Sequence, residues 1–102
     1  MWVNVSPQGA HQEYHHHLTK YNKTIFSGTL YIDVPQNSGD FFIKNHLDKE
    51  YILMGLKTME EFKIEVNNKK IIIFPSWMEH RVGINNSTKN RISVSWNISN
   101  NN

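Results

Sequence analysis

Three histidines in this sequence carry the spacing of metal ligands in a β-rich protein. His15 and His17 lie two apart in "EYHHH", and His80 opens "HRVGI" far downstream. Side chains two apart on a strand share a face, so His15 and His17 can reach one cation while His16 points away. A His-x-His pair alone fits a solvated strand equally well, and a lone histidine at a strand start is usually structural or exposed. The set of three makes a metal worth considering. The chain has no cysteine, which excludes disulfides and thiolate sites. Any metal must therefore use His, Asp, Glu or water. His11 and Glu13 form a literal His-x-Glu and are a secondary candidate pair.

A second set of residues has the chemistry of an anion site. In "RISVSWNI", Arg91, Ser93, Ser95 and Asn97 alternate with Ile92, Val94 and Trp96. If the polar row faces the interior, the planar fork of Arg91 and the Ser93 hydroxyl form a carboxylate clamp. If it faces water, the strand is an ordinary amphipathic one; spacing leaves both readings open. In "SGTLYID", Ser27, Thr29, Tyr31 and Asp33 would likewise share one face, lining either a polar pocket or solvent. In "FPSWMEH", Trp77 and Met78 sit in a turn after Pro75, where large apolar residues usually cover something.

The elements that would position these groups are strands. "WVNV", "EYHHH", "TIFSGTLYIDV", "FFIK", "YILM", "EFKIEV", "KIIIF", "HRVGI" and "RISVSWNI" alternate or form short β-branched runs bounded by turns. "NNK" between "EFKIEV" and "KIIIF" reads as a hairpin turn. The region from His46 to Phe62 has room for one helical turn. Eight or nine short strands in 102 residues predict an all-β sandwich or jelly roll with little or no helix. One domain is expected over residues 1–99, with a frayed tail at 100–102.

Hydrophobic residues make up 38% and charged residues 20% of the chain, which suits a globular fold. The net charge of +2 comes without a basic block, which argues against nucleic acid as the main partner. No apolar run reaches membrane-spanning length, and "MWVNVSPQG" lacks the parts of a signal peptide. A cytoplasmic protein of a bacterium or a phage-infected host is expected, without a membrane partner.

"W-x-N" at Trp2 and Asn4, the His-x-His, "SG-x-x-Y", "SGD", "FPSW-x-x-H-x-V" and "RIS-x-S-x-N" occur in this order. Together they resemble the 2-oxoglutarate and Fe(II)-dependent oxygenase superfamily, nearest the prolyl-hydroxylase-like group of bacteria and cyanophages. The likeness runs from about Trp2 to Ile98, and "FPSWMEHRV" with "NRISVSWN" is its most specific part. The resemblance implies a double-stranded β-helix, a cupin-like jelly roll. It implies Fe(II) held by His15, His17 and His80, with His17 at the position of the usual carboxylate. Three imidazoles leave that site one negative charge short of two histidines and a carboxylate. It further implies that 2-oxoglutarate is held by Arg91, Ser93 and Tyr31, with Asn4 and Asn97 near the site. The implied reaction couples decarboxylation of 2-oxoglutarate by O2 to oxidation, usually hydroxylation, of a prime substrate that no segment of the chain identifies.

Two other readings compete. A cupin-type metal protein would share the jelly roll and the His-x-His, but its first motif needs a glutamate where Tyr21 and Asn22 stand. Cupins also do not call for Arg-x-Ser on the last strand. A non-enzymatic β-domain would leave the histidines on the surface. Oxygenases of the superfamily carry helices that support one sheet, and this chain has almost none, so a homodimer is expected to cover it.

Overall fold

The computed structural model describes residues 1–17 and 23–100, which form two four-stranded antiparallel sheets and one short helix. The elements are β1 (Trp2–Ser6), β2 (Gln12–His15), β3 (Thr24–Asp33), β4 (Phe41–Lys44), α1 (Asp48–Leu53), β5 (Glu61–Ile64), β6 (Ile71–Pro75), β7 (His80–Val82) and β8 (Arg91–Ser99). Sheet A has the order β1-β8-β3-β6, and sheet B the order β2-β7-β4-β5. The chain changes sheet at every connection between consecutive strands except β4 to β5. This is the expected jelly roll.

Three local expectations are corrected. "YILM" is not a strand: Tyr51, Ile52 and Leu53 belong to α1. Its residues do not alternate, and Asp48 and Glu50 in the first turn suit the positive end of a helix dipole. β5 and β6 do not form a hairpin, because β5 pairs with β4 and β6 with β3. The turn signal at "NNK" is real, but the chain crosses between sheets there. Asp33 does not share the inner face of β3. The register slips between Tyr31 and Asp33, and Asp33 is exposed.

The two faces of sheet A are sharply different. Trp2, Asn4 and Ser6 pair with Ser95, Ser93 and Arg91, while Ser27, Thr29 and Tyr31 pair with Asn97, Ser95 and Ser93. This row turns inward: Ser27, Thr29, Tyr31, Arg91 and Ser93 are all buried. The alternate positions turn outward. They are Val3 and Val5 on β1, the isoleucines, Val94 and Trp96 on β8, Phe26 to Ile32 on β3, and Ile71 and Ile73 on β6. Gly28 is part of this face. A Cβ built on it would fall 2.5 Å from the ring of Trp96, its cross-strand partner, so the indole lies where only glycine leaves room.

The apolar core is small. Tyr31, Phe41, Ile72 and Phe74 are buried between the sheets, with Ile43, Ile64, Met78 and Val82 packed around them. Met78 thus covers the core, as its place in the turn suggested, whereas Trp77 stays exposed against His46. At the far end, Asn85 is fully buried and ties three segments together. Its Nδ2 donates to the carbonyls of Ser6 and Lys89 (both 2.9 Å), and its Oδ1 accepts from the Ser87 N–H and hydroxyl. Of the expected tail, Asn100 donates to the Lys23 carbonyl; residues 101 and 102 lie outside the described residues, as do Tyr21 and Asn22.

Candidate functional site: a histidine cluster and a buried arginine in one cavity

The cavity between the sheets measures about 210 Å³ and is lined by His15, His17, His80, Tyr31, Arg91 and Ser93 among others. All six residues expected to carry chemistry therefore face one space. Such a volume holds about seven waters' worth of liquid, the scale of a small dicarboxylic acid.

Sheet B positions the histidines. His15 ends β2 directly opposite His80, which begins β7. His17 lies just beyond β2, and its backbone N–H donates to the Ser76 carbonyl at 2.9 Å, which holds it beside the β6–β7 turn. The ligand-capable nitrogens of the three rings lie within 4.8 Å of one another. Nε2 of His17 is 3.2 Å from Nε2 of His80.

Two further contacts define the ring orientations. Nδ1 of His15 meets the Glu13 carbonyl at 2.8 Å, and Nδ1 of His80 meets the Met78 carbonyl at 2.9 Å. A carbonyl only accepts, so each Nδ1 carries the proton and each Nε2 keeps its lone pair; that of His80 faces His17. Metal-ligating histidines are oriented in this way. Burial pushes the pKa of His80 down to about 4 and lowers that of His17, with the neighbouring imidazoles adding to both shifts. Near neutrality these rings are uncharged, the form that binds a metal. The rings of Phe74 and Phe41 lie 4.4 and 5.4 Å from His80 and close the cluster on its apolar side. The donor set fits a divalent transition metal, with a charge deficit relative to a carboxylate-containing triad.

Sheet A and the β3–β4 loop hold the arginine. Arg91 is 6% exposed. Its Nη1 donates to the carbonyls of Ser38 (2.9 Å) and Gly39 (3.3 Å). Gly39 has φ +97°, and a Cβ there would fall 2.3 Å from the Gly83 carbonyl, so only glycine lets this loop close on the guanidinium. Among the described residues no carboxylate forms an ion pair with Arg91. Asp40 is near enough to favour the charge without reaching contact. Tyr31 lies close by, and burial raises its phenol pKa to about 12, so it stays a neutral hydroxyl.

Hydroxyls continue from Ser93 along the inner face. Asn4 donates to Ser95 (2.7 Å) and Ser93 (3.3 Å), and the Ser95 hydroxyl meets that of Thr29 at 3.1 Å. Asn4 therefore lines the cavity as expected. Asn97 instead accepts from Ser27 and is not among the lining residues. His11 and Glu13 bond to each other at 3.0 Å; His11 lines the cavity, but neither residue belongs to the group of three convergent imidazoles. Trp2 is a cavity residue that the sequence motifs do not single out as one. It pairs with Ser95, lines the mouth, and its ring lies 6.5 Å from that of His17. The signal for it is its inward register with Asn4.

A jelly roll with a histidine cluster between its sheets defines a class of metal-binding β-proteins. Within that class, residues 1–97 match the family described as "Putative 2OG-Fe(II) oxygenase", and the chain belongs to that family, whose cofactors are Fe(II) and 2-oxoglutarate. No curated protein sequence matches significantly. Among solved structures, a prolyl-4-hydroxylase from Pseudomonas putida is similar with a TM-score of 0.73 and 17% identity, covering 97% of this chain and 50% of that one. EvdMO1 gives a TM-score of 0.69 at 14% identity, covering 98% of this chain and 26% of that one. ThoJ, a non-heme monooxygenase solved with nickel, gives 0.59 at 15% identity, covering 95% and 42%. These likenesses carry the fold. The chain spans half or less of the length of each of these structures.

Proposed function

We propose that this chain is the core of an Fe(II)- and 2-oxoglutarate-dependent oxygenase that hydroxylates its substrate. In this reading residues 1–99 act as one domain, as a homodimer, in the cytoplasm of a bacterium or phage-infected cell. The observation that carries the proposal is the meeting of two unlike sites in one cavity: three convergent imidazoles and a buried guanidinium that has no carboxylate partner among the described residues. His15, His17 and His80 would hold the iron, and Arg91 with Ser93 and Tyr31 would hold the distal carboxylate of 2-oxoglutarate. When bound, iron and 2-oxoglutarate supply the oxidation: O2, 2-oxoglutarate and a C–H bond give a C–OH bond, succinate and CO2.

The protein residues then bind, orient and shield. Arg91 is pinned through Nη1, and among the described residues its Nε and Nη2 have no protein acceptor, so they are free to fork a carboxylate. Tyr31 donates from a phenol that does not ionise near neutral pH. Asn4 orients the hydroxyls of Ser93 and Ser95 by donating to both. The backbone bonds of His15 and His80 keep their rings aimed before any metal arrives. Phe41 and Phe74 exclude water from one side of His80.

The test is succinate formation from 2-oxoglutarate, followed by NMR with Fe(II) and O2. Succinate that requires both, and is lost in His80→Ala, is the expected result. Metal bound stoichiometrically with no succinate, and no binding of 2-oxoglutarate, would overturn the proposal in favour of a cupin-type metal protein.

A further inference from the structure

The outward face of sheet A is apolar across all four strands. From β1 through β8 and β3 to β6, the outward positions that pair in register carry valine, isoleucine, leucine, phenylalanine, tryptophan, proline or glycine. No polar side chain interrupts them until Asp33, beyond the register slip at the rim. An antiparallel sheet with one solvated face ordinarily turns its polar row to water. Here the polar row faces the cavity and the apolar row faces out.

We propose that this face is an isologous dimer interface, on which a second copy of the chain packs sheet A against sheet A. Three observations favour a second copy. First, the area is right. Val3, Val5, Ile32, Ile71, Ile73 and Ile98 are each 45–63% exposed. With their less exposed neighbours they present on the order of 800 Å² of apolar surface, about what one partner gives a stable interface. Second, the face is self-complementary. Apart from the indole N–H of Trp96 and Asp33 at the rim, its paired outward positions carry no charge or hydrogen-bonding side chain, so a two-fold axis through its centre sets apolar side chains against apolar side chains. Two twisted sheets stack in this way about 10 Å apart.

Third, the single chain has the shape of half a globule. Its Cα extents are 43 × 40 × 20 Å and its radius of gyration is 15.0 Å, against about 13 Å for a compact chain of about a hundred residues. Stacking two such slabs across their broad face approaches a compact body. The same act gives each chain a second apolar layer, where among the described residues its own core has four buried hydrophobic residues. Small domains commonly need such help. The interface forms whether or not a metal is bound.

Sedimentation equilibrium between about 1 and 100 μM, run without metal, tests it. The chain should be a dimer throughout most of that range. Ile73→Glu and Val5→Glu, both at exposed positions, should shift it to monomer by at least about tenfold in dissociation constant with the circular dichroism unchanged. Lys63→Glu on the outer face of sheet B should leave it dimeric. A second measurement needs no destabilising charge. Because the chain has no cysteine, Val94→Cys places a single thiol near the middle of the face. A short thiol cross-linker should join two chains of Val94→Cys, while Lys63→Cys should run as single chains on a denaturing gel. A monomer at 100 μM would overturn the proposal. So would a dimer that ignores both glutamate variants, or cross-linking of Lys63→Cys but not of Val94→Cys.

Discussion

Sheets A and B have opposite designs. Sheet B turns its apolar residues inward, with Phe41, Ile43, Ile64 and Val82 against the core. Its outer face is charged and internally paired: Arg81 forks Glu61 through Nε (2.8 Å) and Nη2 (2.6 Å), and its guanidinium lies 3.8 Å from the Phe42 ring centre. Tyr14 donates to the same Glu61, and Lys44 pairs with Glu79 at 2.9 Å. Sheet A turns hydroxyls, an amide and an arginine inward from β1, β3 and β8, gives Tyr31, Ile72 and Phe74 to the core, and leaves its other apolar residues outside. The lesson concerns where each sheet gets its stability. Sheet B is held by the core and by water. Sheet A divides its inner face between a polar site and the core residues Tyr31, Ile72 and Phe74, so the apolar row on its other face must find burial elsewhere.

The comparison can be broken first at the site, where the largest effects are expected. His80→Ala removes the proposed ligand from sheet B and should weaken Fe(II) binding by more than about 100-fold, measured by anaerobic equilibrium dialysis. Unchanged iron content would take His80 out of the site. Arg91→Ala removes the charge supplied by sheet A. It should weaken 2-oxoglutarate binding by about 2–5 kcal/mol while metal affinity stays nearly the same. Calorimetric titration separates the two, and an unaltered affinity for the keto acid would show that the guanidinium does not hold it.

Effects on folding come next. Asn85→Ala deletes a fully buried hub whose amide makes four hydrogen bonds. It should cost about 2–3 kcal/mol in urea unfolding, since the carbonyls of Ser6 and Lys89 lose a buried donor. Acid should act on the metal-free protein through His80. Its folded pKa lies below the ordinary 6.5, at about 4. The unfolded chain therefore takes up the proton first, so stability is full above pH 6.5 and falls as the pH drops toward 4. The His80 share of the loss between pH 7.5 and 5 should be about 2 kcal/mol, and His80→Ala should remove that share while leaving the part due to His17, whose pKa is also lowered. The smallest effect is expected outside sheet B. Glu61→Ala breaks an accessible ion pair and should cost under about 1 kcal/mol. A larger loss would mean that the charged face contributes more than solvation.

Much of this arrangement is legible from strand periodicity. The inward set Ser27, Thr29, Tyr31 and the row Arg91, Ser93, Ser95 follow from alternation alone, whereas His16 and His17 lie beyond the end of β2. Alternation does not say which row faces the interior, because both sheet faces obey the same period. Only the packing of Tyr31 and Phe74 against Phe41 shows that the polar row of β8 is inside. The hairpin expected at "NNK" fails for a related reason. A tight turn is a local property, whereas the decision to pair or to cross to the other sheet depends on strands far away in sequence. Asp33 is displaced from its expected face by one slip in register, which moves a side chain across the sheet. Asn85 reads in the sequence as part of a polar turn. Its burial depends on Ser6, at the other end of the chain, and nothing near it in sequence reveals that.

The most direct test of the central claim is an anaerobic titration of the protein with Fe(II) and then 2-oxoglutarate, watched for the visible charge-transfer band of a chelated keto acid. The structure predicts a saturable band at one equivalent per chain, absent in His80→Ala and shifted to higher 2-oxoglutarate concentration in Arg91→Ala. Iron binding without a band, or no iron binding at all, would contradict the assignment of the two sheets to one oxygenase site.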